Sequence, residues 1–238
     1  MRTCKFEVWF LFNGAQARLL ALRLRMILET IPVGLFQCNC QILGCEQTRE
    51  AIVIDPGDEV ERILEILNTH NLKLKYIITT HSHIDHVCDV KSLKDATGAA
   101  AMMHEDDIPL YNNLQMQADL FGFVAPPTTN VDDLLKEGAK LTAGTIEANV
   151  IHTPGHTPGS LTFHVPGTEE MLFTGDTLFN RGIGRTDLWG GDFKQIMGSI
   201  HHKLMVFDDD TLVCPGHGPV TTIGQERAMN PFLQSIRF

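Results

Sequence analysis

The chain has 238 residues, 43% apolar and 20% charged, which excludes disorder of the whole and leaves ample material for a core. Nineteen Lys and Arg against 29 Asp and Glu give a net charge of -10, the wrong sign for holding nucleic acid by bulk electrostatics. No uncharged apolar run reaches the ~18 residues that span a bilayer, because Arg23 and Arg25 interrupt the leucine-rich stretch, so neither nucleic acid nor membrane is expected as a partner.

Residues 1–25 hold five basic side chains (Arg2, Lys5, Arg18, Arg23, Arg25) and one acid (Glu7), a charge of +4 against -14 for the remainder. That asymmetry marks a boundary. The apolar stretch Val8 to Phe12 is too short for the core of a signal peptide, so residues 1–25 read as an N-terminal extension and 26–238 as the functional domain. Short β-rich runs follow at Ile27 to Ile31, Cys40 to Leu43 and Ala51 to Ile54, the last ending at the turn Asp55-Pro56-Gly57. Asp58 is expected to cap a helix whose apolar face is Val60, Ile63, Leu64, Ile66 and Leu67. Tyr76 to Thr79 reads as a buried strand, Val87 to Ala96 as a helix, Ala99 to Met103 as extended and Glu105 to Tyr111 as helical. Asn112 to Asn130 is expected to be a long surface loop. Strands are then expected near Leu141, at Ile146 to Ile151, Ser160 to Val165, Met171 to Phe173 and Leu212 to Cys214, with a helix from Asp192 to about Met205. Two β-rich halves with intervening helices imply an α/β fold of two sheets packed face to face, helices outside. Six cysteines without a C-x-x-C pair point to free thiols in a reducing, cytoplasmic setting.

The chemistry concentrates in Thr80-His81-Ser82-His83-Ile84-Asp85-His86, directly after a predicted strand. On an extended segment His81 and His83 point to one side and can reach one cation, while Asp85 and His86, at the turn into a helix, can reach a second. Three Gly- and Pro-rich loops each place one more donor at a strand end: His156 in Thr153 to Ser160, Asp176 in Thr174 to Thr177, and His217 in Cys214 to Pro219. Together these seven residues suffice for two metals sharing a carboxylate, and imidazole with carboxylate suits zinc as well as iron or manganese. His104, His152 and His201-His202 are expected to be ordinary structural or solvated side chains, and Cys88 and Cys214 packed ones.

With these motifs in order, the sequence from about Met26 onward resembles the metallo-β-lactamase-fold hydrolases, and within them the glyoxalase II-like branch. The resemblance implies an αββα sandwich and two zinc ions per chain, with iron or manganese as alternatives. It implies that His81, His83 and His156 bind the first metal, Asp85, His86 and His217 the second, and that Asp176 bridges them. Asp55 matches that family's first motif, a supporting position. The resemblance further implies hydrolysis of S-D-lactoylglutathione or a related thioester, with Asp85 orienting the attacking water and Asp176 holding both metals. The loop after Asp176 carries Phe179, Asn180, Arg185 and Trp189, of which Phe179, Asn180 and Arg185 are expected to contact the substrate. There are departures: Gly182-Ile183-Gly184-Arg185 keeps the cation but not the cysteine of the usual glyoxalase II loop, and Gly216-His217-Gly218-Pro219 lacks its tyrosine. Only 21 residues follow His217, so the helical domain that contacts glutathione in longer relatives is expected to be missing. β-Lactam hydrolysis is disfavoured, since His86 and Asp176 are both present. The rival enzyme reading is a persulfide dioxygenase, which shares the Gly184-Arg185-Thr186-Asp187 segment and would hold one iron at His81, His156 and Asp176; hydrolysis of another ester or a lactone is a further alternative. A metal-stabilised binding module is the non-enzymatic reading. Oligomeric state is left open.

Overall fold

Strands buried on both faces account for the near-continuous apolar runs in the sequence. A computed structural model describes residues 26–122 and 124–234; the expected extension at 1–25 lies outside the described residues. The first sheet has six strands in sequence order: β1 (Met26–Val33), β2 (Cys38–Cys45), β3 (Glu50–Ile54), β4 (Lys73–Ile78), β5 (Ala100–His104) and β6 (Asp133–Leu135). The second runs β14 (Thr221–Thr222), β13 (Leu212–Pro215), β10 (Met171–Gly175), β9 (Leu161–Val165), β8 (Ile146–His152), β7 (Lys140–Ala143). A two-stranded ribbon, β11 (Leu178–Phe179) with β12 (Gly182–Ile183), completes the strands.

Side chains that alternate along each strand feed three core layers. From β3, Ala51 and Val53 face the helices α1 (Val60–Thr69) and α3 (Val90–Thr97), whereas Ile52 and Ile54 face the other sheet. From β10, Met171 and Phe173 join that inter-sheet layer, and Leu172 turns outward against Ile196 and Met197 of α6 (Phe193–Ser199). The layers are therefore helix, sheet, sheet, helix, the αββα sandwich expected. Among the described residues no helix is long and apolar enough to cross a membrane.

Three local expectations are corrected. Asp58 does not cap α1: it accepts from the Glu59 amide, Glu59 takes φ 60°, and the first helical amide, Val60, donates to Asp89 Oδ2 at 2.8 Å. The helix expected over Val87 to Ala96 is split into α2 (Ile84–Val87) and α3, because Asp89 sits at the joint with its amide on the Pro56 carbonyl. The segment Asn112 to Asn130 is not all loop: α4 (Ile108–Tyr111) is followed by α5 (Leu114–Phe121), which buries Leu114, Gln117 and Ala118. Gln117 breaks the apolar pattern of that face, which hid the helix from periodicity. Beyond β14 lie α7 (Ile223–Met229) and α8 (Pro231–Gln234).

Candidate metal centre

Every proposed donor follows the C-terminal end of a strand: β4 for His81 to His86, β8 for His156, β10 for Asp176 and β13 for His217. The sheets are stitched together at this edge, since the Leu161 amide donates to the Thr80 carbonyl at 2.7 Å and the Asn39 amide to the Gly216 carbonyl at 2.7 Å. The structure brings all seven residues together. His83 Nδ1 lies 2.8 Å from His156 Nε2, and His156 Nε2 lies 3.2 Å from His81 Nε2. Across the cleft His86 Nε2 is 3.2 Å from His217 Nε2, and Asp85 Oδ2 is 3.2 Å from the same His217 nitrogen. Asp176 spans the two groups, at 3.6 Å from His156, 3.4 Å from His86 and 3.7 Å from His217.

These spacings fit metal ions. Two nitrogens at ~2.0–2.1 Å from one tetrahedral zinc stand about 3.3 Å apart, close to what the imidazoles show. Asp176 Oδ1 is buried without a hydrogen-bond partner, a costly state for a carboxylate oxygen and one that a cation would satisfy. Burial, reinforced by neighbouring imidazoles, holds His81 and His83 well below the ordinary histidine pKa, which keeps their nitrogen lone pairs available. Burial opposes charging His86 too, but the acids around it, Asp85, Asp176 and Asp55 among them, carry its pKa above the ordinary value. Asp85 is held below the usual carboxylate range against its burial by His86 and His217. Burial lowers the His156 pKa as well, so one group is three imidazoles that resist protonation, and the other is two imidazoles with one carboxylate; both could hold a divalent cation.

The nitrogens turned away from the cleft are anchored. Asp55, fully buried at φ 53°, accepts from the Thr80 amide at 2.6 Å and its hydroxyl at 2.7 Å, and lies 3.0 Å from His86 Nδ1. Thr80 Oγ1 in turn meets His81 Nδ1 at 3.0 Å, and His156 Nδ1 donates to the Arg185 carbonyl at 2.8 Å. Asp55 is therefore more than a turn residue. Glycine is required at two positions: a Cβ on Gly184 would strike the Asp176 carbonyl, and one on Gly216 would strike Asp176 Oδ1 and lie 2.8 Å from His86 Cε1.

Sequence reasoning missed several supports. Asp107, buried, accepts from the Ser82 amide at 2.8 Å, the Gly159 amide at 2.7 Å and Thr157 Oγ1 at 2.9 Å, tying the His81–His83 segment to the His156 loop. Gln117 accepts from the Ile84 amide at 2.8 Å and donates to the Ser82 carbonyl at 3.1 Å. Asn39 donates to the Pro215 and Gly218 carbonyls and so clasps the His217 loop. A lone acid, amide or asparagine carries no spacing signal, so none was visible in the sequence. Buried Glu226 accepts from the Arg181 amide at 2.8 Å and Asn230 Nδ2 donates to the Gly182 carbonyl at 3.0 Å, so α7 and the residue that follows it hold the β11–β12 ribbon in place.

The expected substrate contacts fare unevenly. Phe179 lies beside His217, ring centres 6.4 Å apart, while Asn180 is not among the residues lining the cleft over the metal groups. Arg185 does line it, but its Nε and Nη2 donate to both oxygens of Asp187 at 2.7 and 2.8 Å. His104 and His152 stack at 4.1 Å, and His152 Nε2 lies 2.8 Å from the Pro158 carbonyl, a packing role in the His156 loop. Cys214 is buried in the inter-sheet core, and Cys88 packs against the core under α1 and α3. His202 is exposed and His201 half-buried, so the solvated face expected there is only partly solvated.

A profile of the Metallo-beta-lactamase superfamily matches residues 33–217. The chain belongs to that superfamily. Hydroxyacylglutathione hydrolase GloC of Haemophilus influenzae is 39% identical over 217 residues, which cover 88% of this chain and 99% of that protein. Among solved structures, BLEG-1, a B3 metallo-beta-lactamase, superposes with a TM-score of 0.81 at 37% identity, covering 87% of this chain and 99% of its own. TTHA1623 in a di-iron-bound form gives 0.78 at 38% identity over 86% and 100%, and ETHE1 from Myxococcus xanthus 0.75 at 28% over 88% and 85%. The superfamily membership, with paired His/Asp groups, establishes a metallo-hydrolase framework suited to two metals.

Proposed function

We propose that the protein is a binuclear thioester hydrolase of the glyoxalase II type, acting on S-D-lactoylglutathione or a related thioester. The observation that carries this reading is the complete pair of donor groups joined by Asp176, at hydrogen-bonding to near-coordination spacing throughout. The 39% identity to a hydroxyacylglutathione hydrolase supports the thioester class. Two bound cations, zinc being the proposed pair, supply Lewis acidity that lowers the pKa of water toward ~7 and polarises a carbonyl. Asp85 lines the cleft and stands one-fifth exposed, placed to orient the attacking water. Asp176 holds the two donor groups at fixed separation, and the buried anchors Asp55 and Thr80 keep the imidazoles from turning. The partner is a small molecule; the net charge of -10 supports neither nucleic acid nor an anionic membrane as partner. The described cysteines are free, in keeping with a reducing, cytoplasmic setting.

Metal analysis of the purified protein, joined to turnover of a thioester panel, a β-lactam and glutathione persulfide, tests the proposal. The expected result is close to two metal equivalents and thioester cleavage. One tightly held iron with oxygen consumption on the persulfide would overturn it in favour of the dioxygenase reading. Cleavage of the β-lactam alone would overturn it in favour of a lactamase.

A further inference from the structure

Beside the metal cleft, of about 160 Å3, lies a larger groove of about 480 Å3. His83, Gln117, Phe121 and Leu188 line both, so the two spaces are continuous across the first histidine group. The walls of the groove are apolar: α5 presents Met116, Leu120 and Phe121 on one side, the segment after Asp187 presents Leu188 and Trp189 on the other, and Leu110 lines it beside His83. Met116, Leu120 and Trp189 remain 46, 67 and 48% exposed, an arrangement that leaves large apolar surface in water unless something covers it.

The polar groups of the groove are already committed. Gln117 spends its amide on the Ile84 amide and the Ser82 and Leu110 carbonyls, and Asp119 accepts from Gln115 at 2.7 Å. None of the described residues lining the groove is a lysine or arginine, and Arg185 of the adjoining cleft is clamped by Asp187. The described residues lining the groove and the cleft therefore offer no free cation to the two carboxylates of a glutathione moiety, while they offer an apolar trough that ends at the first histidine group.

We propose that this groove takes the apolar acyl chain of the thioester, with the carbonyl at the metal groups. The inference rests on the thioesterase reading and deepens it, to a preference among thioesters for those whose acyl half is an unbranched hydrocarbon over the shorter, hydroxylated lactoyl. Burying one methylene in such a trough is worth about a fourfold gain in binding.

The test compares N-acetylcysteamine thioesters, uncharged in their thiol half, from acetyl to hexanoyl on the metal-loaded protein. The expected result is a kcat/KM that rises about fourfold per methylene, and a Leu120→Asp variant in which that rise is largely lost. Leu120 is mostly exposed, so the variant should fold, and thermal denaturation checks that it does. A second readout needs no turnover: hexanoate should bind more tightly than acetate in an NMR titration, and Leu120→Asp should abolish the difference. Thioester cleavage indifferent to chain length, or equal affinity for hexanoate and acetate, would overturn the groove. Leu120-dependent hexanoate binding without any thioester turnover would leave the groove standing and remove the thioesterase reading. A dimer whose sedimentation is disrupted by Leu120→Asp would show that a second copy covers this surface, and would also overturn the proposal.

Discussion

Asp107 is the residue whose removal tests most sharply how the metal centre is held. Its carboxylate takes hydrogen bonds from the Ser82 amide, the Gly159 amide and Thr157 Oγ1, and so joins two loops distant in sequence. In Asp107→Ala the Thr157 hydroxyl keeps Ser160 Oγ, 2.8 Å away, but both backbone amides are left buried without an acceptor. Each such orphan costs about 1–3 kcal/mol, so the variant should lose roughly 2–6 kcal/mol of stability. The loops carrying His83 and His156 should also part, lowering metal affinity by about 10- to 100-fold, as loss of a supporting partner commonly does. Urea denaturation of the metal-free protein measures the first effect and chelator competition the second. Burial pushes Asp107 up to about 6 from an ordinary 3.8, against the three donated hydrogen bonds. The folded state therefore holds this proton longer than the unfolded one, and the residue's contribution to stability falls by roughly 3 kcal/mol as pH rises from about 4 through 6, then stays level. The Ala variant should lack that slope, which makes its deficit smallest at pH 7 and above. A loss under about 1 kcal/mol at pH 5, with metal affinity unchanged, would refute the view that Asp107 holds the loops.

Asp176→Ala should lower occupancy of both metals together, from near two equivalents; elemental analysis showing two metals retained would remove its bridging role. Asp55→Ala frees the outer nitrogen of His86 and the Thr80 hydroxyl, so metal affinity should fall by about 10- to 100-fold in a chelator titration. Because Asp187 already engages Arg185, Arg185→Ala should change KM for S-D-lactoylglutathione by less than about twofold, whereas Asp187→Ala should release the guanidinium and lower that KM about two- to fivefold in steady-state assays. The reverse pattern would show that Arg185 leaves its partner to bind substrate.

The sequence by itself determined the candidate donor set and the sandwich. His81, His83, Asp85 and His86 lie within six residues of one another after a strand, and His156, Asp176 and His217 each sit in a Gly- or Pro-bearing loop at a strand end, so local pattern alone exposes them. The strands were legible for a similar reason: residues such as Ala51 to Ile54 serve two cores at once and read as unbroken apolar runs. What only the tertiary structure decided are the relations between distant polar groups. Asp107 and Gln117 reach the centre from 25 and 33 residues away by single hydrogen bonds, which leave no periodic trace in the chain. Helix α5 was hidden because Gln117 turns inward to serve the Ile84 amide, breaking the apolar stripe that would have announced it. Arg185 looked like a free cation for the substrate, and the conformation of its own loop gave it to Asp187 two residues on. Backbone register is written in repeating hydrophobicity, but a buried polar contact is chosen by where the fold leaves a donor in need of an acceptor, and that place exists only once the chain has closed.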